Sequence, residues 1–208
     1  MQKQKLINWL KELWQPLFMA GAFVSFLIAL EFYDSVVYLG RDQNFGILPR
    51  EMTFSYQVSF FGIGVNHFVF SILNHPFEHA DMNHVLANAG PLFVFSILLL
   101  LRQRFLYVFV GSTILTGLGV WLLARSGTNH FGASGILFAF WSYLLVSGFF
   151  LQKWKYVAIS VGLIFVYGTL IYSLLNFTDG ISYEAHIIGF LVGILLAYIE
   201  RRATFVIN

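Results

Sequence analysis

Ser134 stands in the run Phe131-Gly132-Ala133-Ser134-Gly135, with one glycine two residues before it and another directly after it. Glycine lacks the Cβ that would hold another backbone, or a substrate, away from a serine hydroxyl. A serine at the start of a helix also lies beside backbone N–H groups that have no intrahelical acceptor, and such groups can stabilise an oxyanion. The same small residues equally serve plain helix packing in membranes. His186 bears on the choice. It is followed by Gly189 and Gly193 at i+3 and i+7, on one helix face, so its helix can approach a neighbour closely where the imidazole projects. If that neighbour carries Ser134, His186 reaches it as a general base; otherwise it is a buried structural histidine. No carboxylate lies within the apolar runs that carry these two residues, and Glu184 is placed in the loop ahead of His186. The economical chemistry is a Ser-His dyad.

Two further groups of polar residues stand out. His84 and Asn88 are four apart, hence one helical turn apart on one face. They can donate to an oxyanion, or they can form an interhelical hydrogen-bond pair. Pro91, just beyond them, removes one intrahelical bond and predicts a kink. Upstream, His75-Pro76-Phe77-Glu78-His79 matches the H-x-x-E-H pattern of inverted zinc proteases, with His84 as a conceivable third ligand. That chemistry needs both histidines on a regular helix, where Pro76 is tolerable only in the first turn. It also leaves Ser134 and His186 unexplained, so no metal or cofactor is expected.

The elements that must position these groups follow from composition. Of 208 residues, 58% are hydrophobic and 11% charged, whereas soluble domains carry about 25% charged and about 45–50% apolar residues. This excludes a soluble globule, a disordered tail and a nucleic-acid binder. With no cysteine, disulfides, thiolate metal sites and cysteine nucleophiles are excluded too. Apolar runs at Leu17–Leu39, His84–Leu101, Phe105–Ala124, Ser134–Phe150, Tyr156–Leu175 and His186–Ile199 predict six transmembrane helices, at about 20 residues per crossing. The fourth and sixth runs are short and begin with Ser134 and His186, which predicts that both residues lie below the membrane surface. Nine of the 12 basic residues (Lys3, Lys5, Lys11, Arg102, Arg104, Lys153, Lys155, Arg201, Arg202) fall on one side of this scheme, which places both termini in the cytoplasm.

The predicted organisation is therefore an amphipathic interfacial segment over 1–16, a six-helix membrane domain over 17–202 and a cytoplasmic tail over 203–208. In the first segment Leu6, Leu10 and Leu13 share a face. Residues 40–83 form a long outward loop rich in aromatics, including Phe54, Tyr56, Phe60, Phe61, Phe68, Phe70 and Phe77; such a loop is expected to lie in the outer membrane interface.

The stretches HPFEHADMNHVLANAGPL, HFGASG and SYEAHIIGFLVG, in that order and spread over residues 75 to about 200, resemble the bacterial rhomboid intramembrane serine proteases. The resemblance implies a six-transmembrane-helix, all-α bundle in which Ser134 is the nucleophile and His186 its base. It implies that His84, Asn88 and the Ser134 N–H form the oxyanion hole, that Gly132 and Gly135 belong to the serine motif, and that His75 and His79 are structural or water-organising. It also implies that the loop Asn176–Ala185 caps the site and that the fifth span is a lateral gate. Three departures are visible. Asn66-His67 stand where members often have Trp-Arg, Arg102-Gln103-Arg104 replace a usual Glu and Gly, and Phe138 replaces a tyrosine that stacks under the histidine. Phenylalanine keeps the ring, and no catalytic group is lost.

The expectation is an intramembrane serine endopeptidase of the bacterial inner membrane, cutting single-pass transmembrane substrates near the outer face, with the bilayer as its other partner. An alternative is a rhomboid-like protein that binds transmembrane helices without cutting them, although such proteins typically lack the serine or the histidine. A transporter with proton-relaying histidines predicts paired intramembrane acids, and only Glu31 and Asp34 come close. Oligomeric state is not specified by the sequence.

Overall fold

The architecture of a computed structural model is a helical bundle with one small hairpin. Residues 2–38, 46–50, 57–60, 63–175, 177 and 181–207 are described. Helix α1 runs over Gln2–Tyr33 and passes into a π-helical turn at Asp34–Tyr38. Then come strands β1 (Gln57–Phe60) and β2 (Ile63–Asn66), paired antiparallel, helix α2 (His67–Asn74) and a 3₁₀ turn at His75–Phe77. Helices α3 (Met82–Leu101), α4 (Phe105–Leu123), α5 (Ser134–Phe150), α6 (Trp154–Tyr167), α7 (Leu170–Leu174) and α8 (Tyr183–Ile207) complete the chain.

The central element is α5. It is apolar on every side, as a helix buried all round must be, and every residue from Ser134 to Leu144 is buried. Helices α3, α4, α6 and α8 surround it, with α8 its most extensive neighbour. Outer helices bury one stripe each. In α1 the stripe is Ala20, Val24, Leu27 and Glu31, at helical spacing, and α1 lies along α3. Helix α6 is peripheral: it buries only Ser160 and Leu163, while Phe165 is 86% exposed with Ile164 and Val166 beside it. Exposed apolar surface of that extent suits lipid rather than water.

Among the described residues, four helices are long and apolar enough to cross a membrane: Glu12–Val37, Met82–Leu101, Phe105–Leu123 and Tyr183–Ala203. Helices α5 and α6 are apolar but shorter. Several expectations need correction. The sixth run is not short and does not begin at His186, because α8 starts at Tyr183 and continues to Ile207, past the end of the apolar run at Ile199. Glu184 accordingly sits in the first turn of α8, not in a loop, where an acidic side chain complements the helix dipole. The fifth run is not one helix, since Gly168 and Thr169 separate α6 from α7.

The stretch 40–83 is not a plain loop, because it holds the hairpin and α2. Its rings Phe68 and Phe77 pack inward, Phe68 on Trp121 at 4.9 Å and Phe77 on Phe26 and Phe109 at 6.2 Å each. Phe54, Tyr56 and Phe61 lie outside the described residues, as do the side chains of residues 2–11 on which the amphipathic reading rests. The backbone there is helix, continuous with the rest of α1 through a buried Pro16.

Candidate active site

The turn into α5 is held from below by two histidines. Gly132 N–H donates to the His75 carbonyl at 2.8 Å, and Ala133 N–H donates to His79 Nε2 at 3.3 Å. Gly132 adopts φ +117°, a conformation natural to glycine alone. A Cβ there would also lie 3.0 Å from His84 Cε1 and 3.8 Å from Ser134 Oγ. The first intrahelical bond of α5 runs from Leu137 N–H to the Ala133 carbonyl at 2.9 Å. The N–H groups of Ser134, Gly135 and Ile136 therefore have no acceptor within the helix. Burial keeps both supporting histidines neutral, pushing His75 down to about 4 and His79 to about 3.

His186 lies one turn inside α8, and its Nε2 is 3.0 Å from Ser134 Oγ. Its other nitrogen, Nδ1, is 3.1 Å from the Ser173 carbonyl oxygen. A carbonyl cannot donate, so Nδ1 carries the ring proton and Nε2 presents a lone pair to the Ser134 hydroxyl. That assignment follows from the hydrogen-bond partners of the two nitrogens. Ser173 stands in the last turn of α7, where carbonyls lack an intrahelical donor; the break after α6 is what brings it to the imidazole. The Phe138 ring lies 4.6 Å from the imidazole, tilted by 32°. The small-residue stripe does what its spacing predicts. A Cβ on Gly189 would overlap the Gly135 carbonyl, and one on Gly193 the Ala139 carbonyl and the Ser142 hydroxyl, so α8 lies against the α5 backbone only because both are glycine. A Cβ on Gly135 itself would meet Thr116 Cγ2 at 3.0 Å.

Across from the pair, Asp81 caps α3 by accepting the His84 N–H at 2.8 Å. His84 Nδ1 accepts a long 3.5 Å bond from Ala80 N–H, which leaves the proton on Nε2, the nitrogen nearer Gly132. Asn88 is 7% exposed, and its amide Nδ2 has no hydrogen-bond partner. A buried unpaired donor costs about 1–3 kcal/mol. Both residues line a cavity of about 770 Å³ shared with Ser134, His186, Phe138 and Leu170. A hydroxyl bonded to an unprotonated imidazole, facing unpaired N–H donors in one cavity, can perform nucleophilic attack on a carbonyl and hold the resulting oxyanion.

The H-x-x-E-H pattern forms no such centre. His75-Pro76-Phe77 is a 3₁₀ turn that ends in extended backbone at Glu78. His75 Nδ1 bonds the Ile72 carbonyl at 2.9 Å, His79 Nε2 takes the Ala133 N–H, and Glu78 pairs with Asn74. Among the described residues no three candidate ligands converge. Other participants escaped the sequence reading. The Ser173 carbonyl is backbone and has no residue signature. Arg125 pairs with Glu184 at 2.5 Å and lies 4.6 Å over the Tyr183 ring. His130 bonds Thr128 and Ser182, and burial lowers its pKa from the ordinary histidine range. A histidine four residues ahead of Ser134, at the head of the HFGASG stretch, was an available signal.

A family model, the Rhomboid domain, matches residues 66–203. Uncharacterized proteins of Mycobacterium bovis and Mycobacterium tuberculosis are each 35% identical to the chain over 142 residues, covering 62% of this chain and 59% of theirs. An uncharacterized protein of Mycobacterium leprae is 32% identical over 135 residues, covering 60% of this chain and 53% of its own length. The chain thus spans less than two thirds of the relatives it matches.

Proposed function

The chain belongs to the rhomboid family, and on that premise we propose that it is an intramembrane serine endopeptidase whose nucleophile is Ser134 and whose base is His186. The observation that carries the reading is the 3.0 Å contact between Ser134 Oγ and a lone-pair-bearing His186 Nε2, opposite the unpaired Asn88 amide. In this reading α1, α3, α4, α5, α6 with α7, and α8 make six crossings, with both termini in the cytoplasm of a bacterial cell. The substrates are transmembrane segments of other proteins, cut near the outer face.

An intact substrate helix hides its carbonyls in internal hydrogen bonds. The scissile residues must therefore unwind before they enter the cavity. His186 Nε2 takes the Ser134 proton as Oγ attacks the carbonyl carbon. The oxyanion receives the Ser134 N–H, His84 Nε2–H and Asn88 Nδ2–H. Collapse expels the amine, which takes the proton from His186. Water then repeats the sequence on the acyl-enzyme, with His186 again as base. Throughout, the Ser173 carbonyl holds Nδ1–H and stabilises the imidazolium, as an orienting acceptor does in a triad.

The test is cleavage of a reporter transmembrane substrate in detergent together with fluorophosphonate labelling. The unaltered chain should cut and label, indifferent to chelator, while Ser134→Ala does neither and still folds. Cleavage that persists in Ser134→Ala overturns the dyad. Binding of the reporter without cleavage or labelling in the unaltered chain makes the protein a non-proteolytic helix binder instead.

A further inference from the structure

His130 stands four residues ahead of Ser134 and Ser182 four ahead of His186, and these two also touch, with His130 Nδ1 2.6 Å from Ser182 Oγ. The dyad contact and this one join the same two segments at the same chain separation, 52 residues. They are successive rungs of one ladder. His130 is 3% exposed and has no place in the attack sequence above.

Both of its ring nitrogens are hydrogen-bonded. Thr128 Oγ1 donates to the Arg125 carbonyl at 2.8 Å, so toward His130 that oxygen can only accept. His130 Nε2, 2.7 Å away, therefore carries the ring proton. Nδ1 is then the acceptor, and the Ser182 hydroxyl donates to it. The His130 main chain is fixed as well, since its N–H and carbonyl pair with Ile47 at 3.0 and 2.8 Å. On the far side, the Ser182 carbonyl accepts the His186 N–H at 3.3 Å, which ties Ser182 to the turn that carries the base. On the near side, the residues between His130 and Ser134 include Gly132 and Ala133, whose N–H groups are anchored on His75 and His79. Both routes from this contact to the dyad are short and bonded. The outer rung, Arg125 with Glu184, is about half-exposed on the arginine side and is the weaker tie.

We infer that His130 is a positioning residue: by bonding Ser182 it joins the segment entering α5 to the segment entering α8, and so sets the distance between Ser134 and His186. The inference rests on the reading of that pair as a catalytic dyad. A residue that merely fills the loop governs how much protein folds. A positioning residue governs turnover per folded molecule, because a displacement near 1 Å can cost about 10²-fold in rate.

The experiment uses the full chain in detergent, with active sites counted by end-point fluorophosphonate labelling so that kcat refers to each competent molecule. His130→Phe keeps a ring of similar size and removes both nitrogens. It should lower kcat by about 10- to 100-fold and leave KM within about twofold. Ser182→Ala should lower kcat in the same way, and it carries the test if His130→Phe does not fold. The double variant should be no slower than the worse single one, because both changes break one contact. An unchanged kcat per counted site in either single variant, or losses that multiply in the double, overturns the inference. An unaltered chain that neither cuts nor labels overturns the dyad reading instead, and the positioning role falls with it.

Discussion

Helices α5 and α8 meet through polar side chains at both of their ends, and the two ends differ in kind. At one, Ser134 faces His186. At the other, the Tyr143 hydroxyl donates to Glu200 Oε2 at 2.5 Å while Arg104 Nε holds Glu200 Oε1 at 2.5 Å. There Arg102 lies 5.2 Å over the Tyr143 ring and bonds the Ser147 hydroxyl at 2.7 Å, and Tyr107 donates to the Leu196 carbonyl at 2.8 Å. That cluster consumes its own hydrogen-bonding capacity. The Ser134 end has its ion pair, Arg125 with Glu184, beside the dyad contact rather than in it, opens onto a cavity, and keeps an amide donor unpaired. A polar group in a membrane span is expensive and invites a functional reading. If the Ser134 end is the reactive centre proposed above, expense alone does not distinguish it from a clasp. The distinguishing feature is hydrogen-bonding capacity left unspent beside open space.

The strongest way to break the comparison is to separate the two helices between their ends. Gly189→Leu puts a side chain into the Gly135 carbonyl and should cost at least about 10²-fold in cleavage, together with a clear drop in unfolding temperature. Near-normal cleavage and stability would mean that the close approach is not what brings Ser134 to His186.

Asn88→Ala probes the reactive end by itself. Losing one oxyanion donor costs about 10²–10³-fold in kcat, or about 2.7–4 kcal/mol. The low end is expected here because the Ser134 N–H and His84 remain, with KM changing less than kcat. Since Nδ2 bonds no protein group and its burial is itself costly, the unfolding temperature should hold or rise. Lost stability with normal turnover would make Asn88 structural.

Tyr143→Phe is the mirror experiment. It removes a hydrogen bond to a carboxylate, worth about 1.5–3 kcal/mol, so stability should fall while kcat per labelled site stays unchanged. A fall in kcat per site would show that the closed end also participates in turnover.

Acidification only as far as about pH 6 makes the smallest change, and it acts on the scaffold of the proposed site. His75 and His79 are held neutral down to about 4 and about 3, against about 6.5 for histidine in an unfolded chain. Below about 6.5 the unfolded chain takes up protons that the folded one refuses, so stability is full above that value and declines toward pH 4. Unfolding temperatures measured unit by unit from pH 7 should fall, slightly at first. His79→Gln should flatten the slope, and an unchanged slope would mean that these rings do not control the acid response.

Much of the architecture is legible residue by residue. The bounds of α3, α4 and α5 follow from hydropathy, because lipid tolerates no unpaired backbone and forces each apolar run into a helix. Helical periodicity puts Gly189 and Gly193 below His186, and His84 above Asn88. The resemblance added the pairing of roles. The hairpin and α2 were not legible within 40–83, since short amphipathic elements in an aromatic stretch carry no distinct period. Nor was the break at Gly168, where one apolar run reads as one span.

By itself the sequence determined which chemical groups exist, and through periodicity which of them share a helix face. Ser134, His186, His84 and Asn88 stand out in it as candidates because an isolated polar residue in an apolar run is costly and therefore conspicuous. Only the tertiary structure decided which faces meet. The Ser173 carbonyl reaches His186 because α7 ends there, and any residue type would offer the same oxygen. His130 reaches Ser182, and Arg125 reaches Glu184, through contacts 52 and 59 residues apart in the chain. Local spacing encodes the turn of one helix, and it holds no information about a partner that only packing brings near.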